Sequence, residues 1–301
     1  MFTQEELENI IIDGSVEVYN DHKKLGRKGL EERGKNRFGE TSLVGDYRAE
    51  DVWINNLEEH NVKAMIISEE HGRIELGNEF TSHVDGLDGS KNRYPIFMSG
   101  DKNARYATIF SIYDGNDPRY EDYRVSAIIE HPTGRILLAS KNRGIFLIDP
   151  LTRERSLVNV PFTGEFVTEK IRGNTHAGTK FFNSTIRPYL EAFPALDLQS
   201  DKVALRANSI YYVDFALGKA DWVLDSTFKN NLEKAVAYPF VKERGGVMVS
   251  LDGKDIGPQK YFEFHFDSED YVPIIAAPSI ESAKPILEKI RKYYSSNDLF
   301  S

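Results

Sequence analysis

Apolar residues recur along the chain with helical spacing in some segments and as continuous runs in others. A first helix is predicted by the capping box of Thr3 and Glu6 and by the apolar face that follows it. The members of that face are Leu7, Ile10, Ile11, Val16 and Val18. A second helix follows Asp46, which we expect to be an N-terminal cap or a first-turn acid.

Continuous apolar runs predict strands in the middle of the chain, at 62–68, 106–113, 124–130, 135–139 and 144–148. After Asp149 and Pro150, strands predicted at 202–206, 247–250 and 274–277 alternate with helices predicted at 209–217, 231–243 and 279–294. We therefore expect an N-terminal α+β part, residues 1–150, and a C-terminal α/β part, residues 151–301.

Composition and charge narrow the function classes. The chain has 301 residues, of which 40% are hydrophobic, enough for one large or two medium domains. A net charge of −9 argues against a nucleic-acid binder. The absence of cysteine excludes disulfides and thiolate metal sites and fits a reducing cytosol, so a cytoplasmic protein is expected. The acidic N-terminal segment and the lack of a long apolar run predict neither a signal peptide nor a membrane span.

Carboxylates cluster between positions 66 and 90. Glu69 follows a predicted buried strand, and Asp85 and Asp88 lie on a predicted glycine-bearing turn. Acids this close favour a hard divalent cation held by oxygen ligands. The loop ending in Gly89 and Ser90 offers backbone N–H groups and a hydroxyl, which suit phosphate. Metal and anion together indicate phosphoryl chemistry, although Asp-Gly pairs also occur in ordinary solvated turns.

Two histidines flank these acids. His71 and His83 are either metal ligands or ordinary hydrogen-bonded side chains, and no second histidine lies nearby at the helical spacing typical of zinc ligands.

The acidic segment resembles the magnesium-dependent, lithium-sensitive phosphatases typified by inositol monophosphatase, whose relatives include fructose-1,6-bisphosphatases. Their Asp-Pro-hydrophobic-Asp-Gly-Thr/Ser motif is similar to residues 85–90, Asp-Gly-Leu-Asp-Gly-Ser. Ser68-Glu69-Glu70 corresponds to their Gly-Glu-Glu, and Gly45-Asp46 to their Thr-Asp. Their Trp-Asp-x-Ala-Ala-Gly corresponds to Leu-Glu-Lys-Ala-Val-Ala at 232–237, followed by Gly-Gly at 245–246. Three departures stand out, namely Glu233 for Asp, Gly86 for Pro and Gly45 for Thr.

The resemblance implies an α/β (α+β layered) fold, an alternating αβαβα sandwich of the sugar phosphatase type. It implies two or three Mg²⁺ ions per active site. The first would be bound by Glu69, Asp85 and the Leu87 carbonyl, and the second by Asp85, Asp88 and Glu233. Asp46 would lie near a third ion and position the attacking water. The Gly89 and Ser90 N–H groups would hold phosphate, assisted by the Ser90 hydroxyl, and Asp225 would bind substrate hydroxyls. Glu69, Asp46 and Ser90 are thus the expected catalytic residues.

The implied function is hydrolysis of a small phosphorylated polyol or sugar, inositol monophosphate or fructose 1,6-bisphosphate, by a homodimer. The alternatives are a 3′-nucleotidase acting on 3′-phosphoadenosine-5′-phosphate and a non-catalytic regulatory relative. Basic residues that are candidates for a second phosphate, or simply solvated surface, are Lys170, Arg172, Lys180 and Arg187.

Overall fold

The chain forms layers of helices and sheets, seen in a computed structural model that describes residues 2–36, 39–162, 173–175, 203–205, 208–220, 222–225, 232–264 and 274–296. Its α-helices are α1 (Gln4–Leu25), α2 (Val44–Glu59), α3 (Tyr94–Met98), α4 (Asn208–Ala216), α5 (Leu232–Glu243) and α6 (Ile280–Ser296). Short 3-10 helices span Gly26–Leu30 and Tyr120–Asp122.

The strands before residue 160 are β1 (Glu32–Lys35), β2 (Thr41–Leu43), β3 (Ala64–Ser68), β4 (Gly72–Glu75), β5 (Phe80–Asp88), β6 (Ala107–Asp114), β7 (Tyr123–Glu130), β8 (Arg135–Ser140), β9 (Gly144–Ile148) and β10 (Arg155–Val158). The later strands are β11 (Gly173–Thr175), β12 (Val203–Leu205), β13 (Trp222–Asp225), β14 (Val247–Ser250) and β15 (Ile274–Ala277).

Two large sheets organise these strands. The first has eight strands in the order β10-β9-β8-β7-β6-β5-β3-β4, and the second has five in the order β12-β11-β13-β15-β14. In the first sheet only the β3–β5 pair is parallel, whereas in the second β11 is parallel to both β12 and β13. β1 and β2 form a separate antiparallel hairpin.

Helices cover both faces of the large sheet. α1 and α2 pack on one face, and α4 and α5 pack between the other face and the five-stranded sheet. α6 lies on the outer side, against β14 and β15. One apolar core lies under α1 and α2, and a second, rich in tyrosine, lies around α4 and α5. The succession of layers is the αβαβα sandwich that the resemblance implies, so the expected fold class is confirmed.

The start of the chain folds as expected. Thr3 and Glu6 form both hydrogen bonds of the capping box at the start of α1. Gly14 does not interrupt α1, and a β-carbon there would lie only 2.8 Å from ring atoms of Trp53. Asp46 lies in the first turn of α2, where its carboxylate accepts a hydrogen bond from the backbone N–H of Leu43 at 2.8 Å. That first-turn role is confirmed.

Two local expectations are wrong. Asp85 and Asp88 do not lie on a turn, because β5 continues through Asp88 and the turn begins at Gly89. The apolar pattern predicts no strand before residue 62, whereas Glu32–Lys35 form β1, whose residues are all exposed. The division of the chain at residue 150 stays a prediction, and β10 extends the eight-stranded sheet past it. Among the described residues, no helix is long and apolar enough to cross a membrane.

His83 is expected to make folding stability depend on pH. It is fully buried on β5, and burial lowers its pKa to about 3. In the unfolded chain a histidine binds a proton below about pH 6.5. Between about pH 6.5 and 3 the unfolded state therefore binds more protons than the folded state, so the free energy of unfolding decreases as the pH is lowered. From pH 7 to pH 5, wild type should therefore lose about 2 kcal/mol relative to His83→Phe. Urea unfolding of both proteins at each pH measures this difference, and a constant difference would contradict it.

Candidate active site

The acids of the first motif lie at one edge of the large sheet. Glu69 and Glu70 form the turn after β3, and Asp85 and Asp88 lie in the last part of β5. Because β3 and β5 are parallel, their carboxyl ends meet, and the N–H of Glu69 donates to the carbonyl of Val84 at 3.2 Å. Glu69 therefore lies near Asp85 and Asp88, although it is separate from them in the sequence.

A β-bulge determines which face of the sheet carries Asp85 and Asp88. Residues three apart on a regular strand point to opposite faces. Here Asp85 pairs with Ile109 and Asp88 pairs with Ala107, so β5 has one residue more than β6 in this interval. Ile109 and Ala107 are two apart, and both belong to the core around α4 and α5. The bulge therefore places both acids on the face that is covered by α4 and α5.

Asp46 connects α2 to this edge. It is 3% exposed. Burial raises the pKa of its carboxyl to about 8, and the charges of Glu70 and Glu69 add to the rise. Hydrogen bonds from the backbone N–H of Leu43 and from the side chain of Ser90 act in the opposite direction. Three expected catalytic residues, Asp46, Glu69 and Ser90, are thus neighbours.

Two glycines let α2 approach β5 closely. A β-carbon on Gly86 would lie 2.1 Å from the backbone oxygen of Asp46, and one on Gly45 would lie 2.7 Å from Cδ1 of Leu87. Gly86 stands where the related phosphatases have proline. It is buried in β5, and any β-carbon there would collide with the backbone of Asp46.

The expected phosphate loop is a tight turn after β5. The N–H of Ser90 donates to the carbonyl of Leu87 at 2.9 Å, and the carbonyl of Gly89 accepts from the N–H of Arg93 at 2.8 Å. Gly89 has a φ of +96°, which favours glycine. The side chain of Leu87 is buried against α3, so a cation would meet the backbone carbonyl of Leu87, which already accepts from the N–H of Ser90.

Asp88 joins the N-terminal acids to the C-terminal half. Its Oδ2 accepts hydrogen bonds from both the backbone N–H and the hydroxyl of Ser209, each at 2.7 Å. Ser209 lies in the first turn of α4, where a carboxylate is favoured. The two halves of the expected site are therefore in direct contact.

The expected acids of the C-terminal half are both buried. Glu233 lies in the first turn of α5 and is 5% exposed, and Asp225, at the end of β13, is completely buried. Oδ2 of Asp225 accepts a hydrogen bond from the hydroxyl of Tyr212 at 2.8 Å. Burial lowers the pKa of the adjacent Lys234, and the charges of Asp225 and Glu233 act to raise it. A buried lysine beside these acids was not foreseen.

Sequence reasoning also missed Glu50, which shapes the Glu69–Glu70 turn. This fully buried carboxylate accepts hydrogen bonds from the backbone N–H of Glu69 at 3.2 Å and of Glu70 at 3.2 Å, and from the hydroxyl of Ser68. Burial raises its pKa well above the usual range. The signal was present in the sequence, because Asp46 and Glu50 are four apart and share one face of a helix.

Glu50→Ala is expected to lower the free energy of unfolding by about 2 kcal/mol, because buried backbone donors lose their acceptor. It should also weaken any cation binding at Glu69. The control is Glu58→Ala, an exposed glutamate at the other end of α2, with an expected change within about 0.5 kcal/mol. Chemical denaturation compares the two, and equal effects would contradict the role given to Glu50.

The β1–β2 hairpin also contacts the turn after β3. The hydroxyl of Ser42 donates to the carboxylate of Glu70, and the side-chain amide of Asn36 donates to Oε1 of Glu69 at 3.4 Å. On the other side, Lys91 forms an ion pair with Glu40 at 2.9 Å. The hairpin thus lies beside the acids and beside the turn after Gly89.

The expected metal-binding residues suit a hard cation. Their donor atoms are oxygens, and a divalent ion would neutralise the charges of Glu70 and Glu69, which add to the rise that burial causes in the pKa of Asp46. In the described part of the chain, however, no three acidic, histidine or cysteine side chains are already grouped closely enough to hold a metal. The residues therefore fit Mg²⁺ in type and charge, and the ligand sets stay predictions.

The other candidate residues are the two histidines and the four basic residues. Nε2 of His71 lies 3.0 Å from Oδ1 of Asp51, and Nδ1 of His83 lies 2.9 Å from the hydroxyl oxygen of Ser111, so each ring has one polar neighbour. Four candidates for a second phosphate lie outside the described residues, namely Lys170, Arg172, Lys180 and Arg187.

Comparison with known proteins agrees with this geometry. The chain is 28% identical over 250 residues to a fructose-1,6-bisphosphatase of Pyrococcus furiosus, with 82% of each chain covered. It is 26% identical over 270 residues to a fructose-1,6-bisphosphatase/inositol-1-monophosphatase of Thermococcus kodakarensis, covering 88% of this chain and 89% of the relative. The IMPase of Thermotoga maritima superposes with a TM-score of 0.69 at 14% identity, covering 96% of this chain and 98% of that one. No family model matches the chain.

A layered αβαβα protein with acids at the carboxyl ends of β3 and β5 belongs to the sugar phosphatase type of fold. The resemblance inferred from the sequence is confirmed, and the chain is similar to inositol monophosphatases and fructose-1,6-bisphosphatases.

Proposed function

We propose that the protein is a Mg²⁺-dependent phosphomonoesterase acting on a small phosphorylated polyol or sugar, inositol monophosphate or fructose 1,6-bisphosphate. The observation that carries the proposal is the convergence of Asp46, Glu69 and Ser90 at the edge where β3 and β5 end. The similarity to bisphosphatases over more than four-fifths of the chain supports the phosphatase class.

The positions of the acids support the roles that the resemblance implies. Glu69 and Asp85, with the carbonyl of Leu87, would hold one Mg²⁺, and Asp85, Asp88 and Glu233 would hold another. Bound Mg²⁺ supplies a more acidic water and neutralises charge on the leaving oxygen. The turn at Gly89 and Ser90 would orient the phosphoryl group.

Asp46 would orient the water, because its carboxylate lies beside the side chain of Ser90 and within the field of Glu69. The water oxygen forms a bond to phosphorus, the ester P–O bond breaks, and the alcohol leaves with a proton. Asp225 would bind substrate hydroxyls only where the Tyr212 hydroxyl, which now bonds it, gives way.

We further propose a cytoplasmic homodimer that binds neither nucleic acid nor membrane. The net charge of −9 supports the absence of nucleic-acid binding.

The test is phosphate release from inositol 1-phosphate, fructose 1,6-bisphosphate and 3′-phosphoadenosine-5′-phosphate, each with Mg²⁺ and with a chelator. Release from one of the first two that requires Mg²⁺ is expected. Preference for the nucleotide would favour the 3′-nucleotidase alternative. Activity that is indifferent to chelator, or no release from any substrate, would overturn the proposal.

A further inference from the structure

The β-bulge that places Asp85 and Asp88 on one face leaves a carbonyl outside the regular ladder. In the β5–β6 pairing, Thr108 lies opposite the extra residue, between Ile109 and Ala107. The hydroxyl of Thr108 donates to the carbonyl of Gly86. The Thr108 side chain on β6 thus donates to the Gly86 carbonyl in place of a backbone N–H of the regular ladder.

A histidine completes this contact. Nε2 of His131 lies 2.8 Å from Oγ1 of Thr108. A hydroxyl has one proton, and that of Thr108 is directed to Gly86, so Nε2 of His131 must carry the proton and donate. The hydrogen bonds therefore run in one direction, from His131 through Thr108 to Gly86, and they fix the tautomer of the histidine.

The surroundings hold His131 in place. Its ring lies 4.0 Å from the ring of His22 on α1 and 5.6 Å from that of Tyr106, centroid to centroid. His22 is in turn bonded to the hydroxyl of Tyr106 at 2.9 Å. Thr108 is completely buried and His131 is 8% exposed, so substrate has no access to this cluster.

We propose that Thr108 and His131 are positioning residues for the phosphatase site, holding the Gly86 carbonyl so that the bulge keeps Asp85 and Asp88 on the same face. The inference rests on the proposed function, since it concerns how the same acids are arranged. It requires neither residue to touch substrate or metal, because Thr108 points to the face opposite the acids.

The chain offers a matched control. Thr81 is also a completely buried threonine, and its hydroxyl donates to a backbone carbonyl, that of Gly115, at 2.7 Å. It lies at the other end of β5, far along the strand from the bulge. Thr81→Val removes the same kind of bond as Thr108→Val without disturbing the acids.

The experiment measures Mn²⁺ binding by electron paramagnetic resonance, and turnover with Mg²⁺, for wild type, Thr108→Val, Thr108→Ser and Thr81→Val. Loss of a residue that orients ligands typically costs about 10–100-fold in metal affinity or activity. We expect a loss of that size in Mn²⁺ affinity for Thr108→Val, recovery with Thr108→Ser, and wild-type affinity for Thr81→Val. If Thr108→Val does not fold, Thr108→Ala replaces it, because Ala and Ser both lack the methyl group and differ only in the hydroxyl.

Wild-type Mn²⁺ affinity in Thr108→Val, or an equal loss in Thr81→Val, would overturn this inference alone. A wild type that neither binds Mn²⁺ nor releases phosphate would instead overturn the proposed function. The binding measurement does not depend on turnover, so the two failures are distinct.

Discussion

Asp85→Asn is expected to lower Mg²⁺-dependent phosphate release by about 1,000-fold or more, equivalent to about 4 kcal/mol of transition-state stabilisation. The reason is that the Asp85 carboxylate is shared by both proposed cation sites. Asparagine has nearly the same shape as aspartate but lacks its negative charge. Asp85 is 4% exposed at the end of β5, so solvent cannot replace the missing charge. Initial rates across a Mg²⁺ titration measure the effect.

The control for Asp85→Asn is Asp114→Asn at the far end of the same sheet. The side chain of Asp114 is 51% exposed and forms an ion pair with Arg124 at 3.0 Å. An exposed pair of this kind contributes little, so rate and stability should both stay close to wild type. An Asp85→Asn protein that is folded and fully active would show that Asp85 is not a ligand.

Gly86→Ala is expected to lower the free energy of unfolding by about 3 kcal/mol, since overpacking in a close-packed region costs about 1–3 kcal/mol and occasionally more. The added methyl group would lie within 3 Å of three backbone atoms of Asp46, the oxygen, the carbonyl carbon and Cα. Backbone cannot move aside as a flexible side chain can, so α2 must shift relative to β5. Activity should fall as well, because Asp46 moves with α2.

Gly100→Ala separates this steric effect from the conformational effect of losing a glycine. Gly100 has a φ of +117° and open space around it, so alanine there costs about 1–2 kcal/mol of backbone strain without a steric contact. Thermal unfolding of both variants gives the comparison. Equal stability losses in the two would show that contact with Asp46 is not the cause.

Sequence patterns predicted most of the large sheet, because its strands are apolar enough to be recognised. The run at 62–68 became β3, and the runs at 124–130 and 135–139 became β7 and β8. The β1 strand was missed because Glu-Arg-Gly-Lys is polar throughout and fully exposed. Apolar residues recur where a strand is buried on at least one face, and no residue of β1 is buried.

The type and spacing of the acids in the sequence predicted which residues form the candidate site. They did not predict how these residues are arranged in space. Nothing in Asp-Gly-Leu-Asp reveals a bulge, because the pairing register depends on β6, a strand distant in the sequence. Similarly, Ser209 at the start of α4 has no local feature that links it to Asp88. Contacts between elements are set by tertiary packing, and a local pattern does not record them.

The extra residue in β5 also makes this stretch sensitive to the pairing register. If every residue of β5 paired regularly with β6, Leu87 would lie opposite Ala107, and Asp88 would turn to the other face of the sheet. Asp88 would then point toward α1 and α2, away from Ser209, although both acids remained in the sequence. A change of register alone, without any substitution, would therefore dismantle the proposed site.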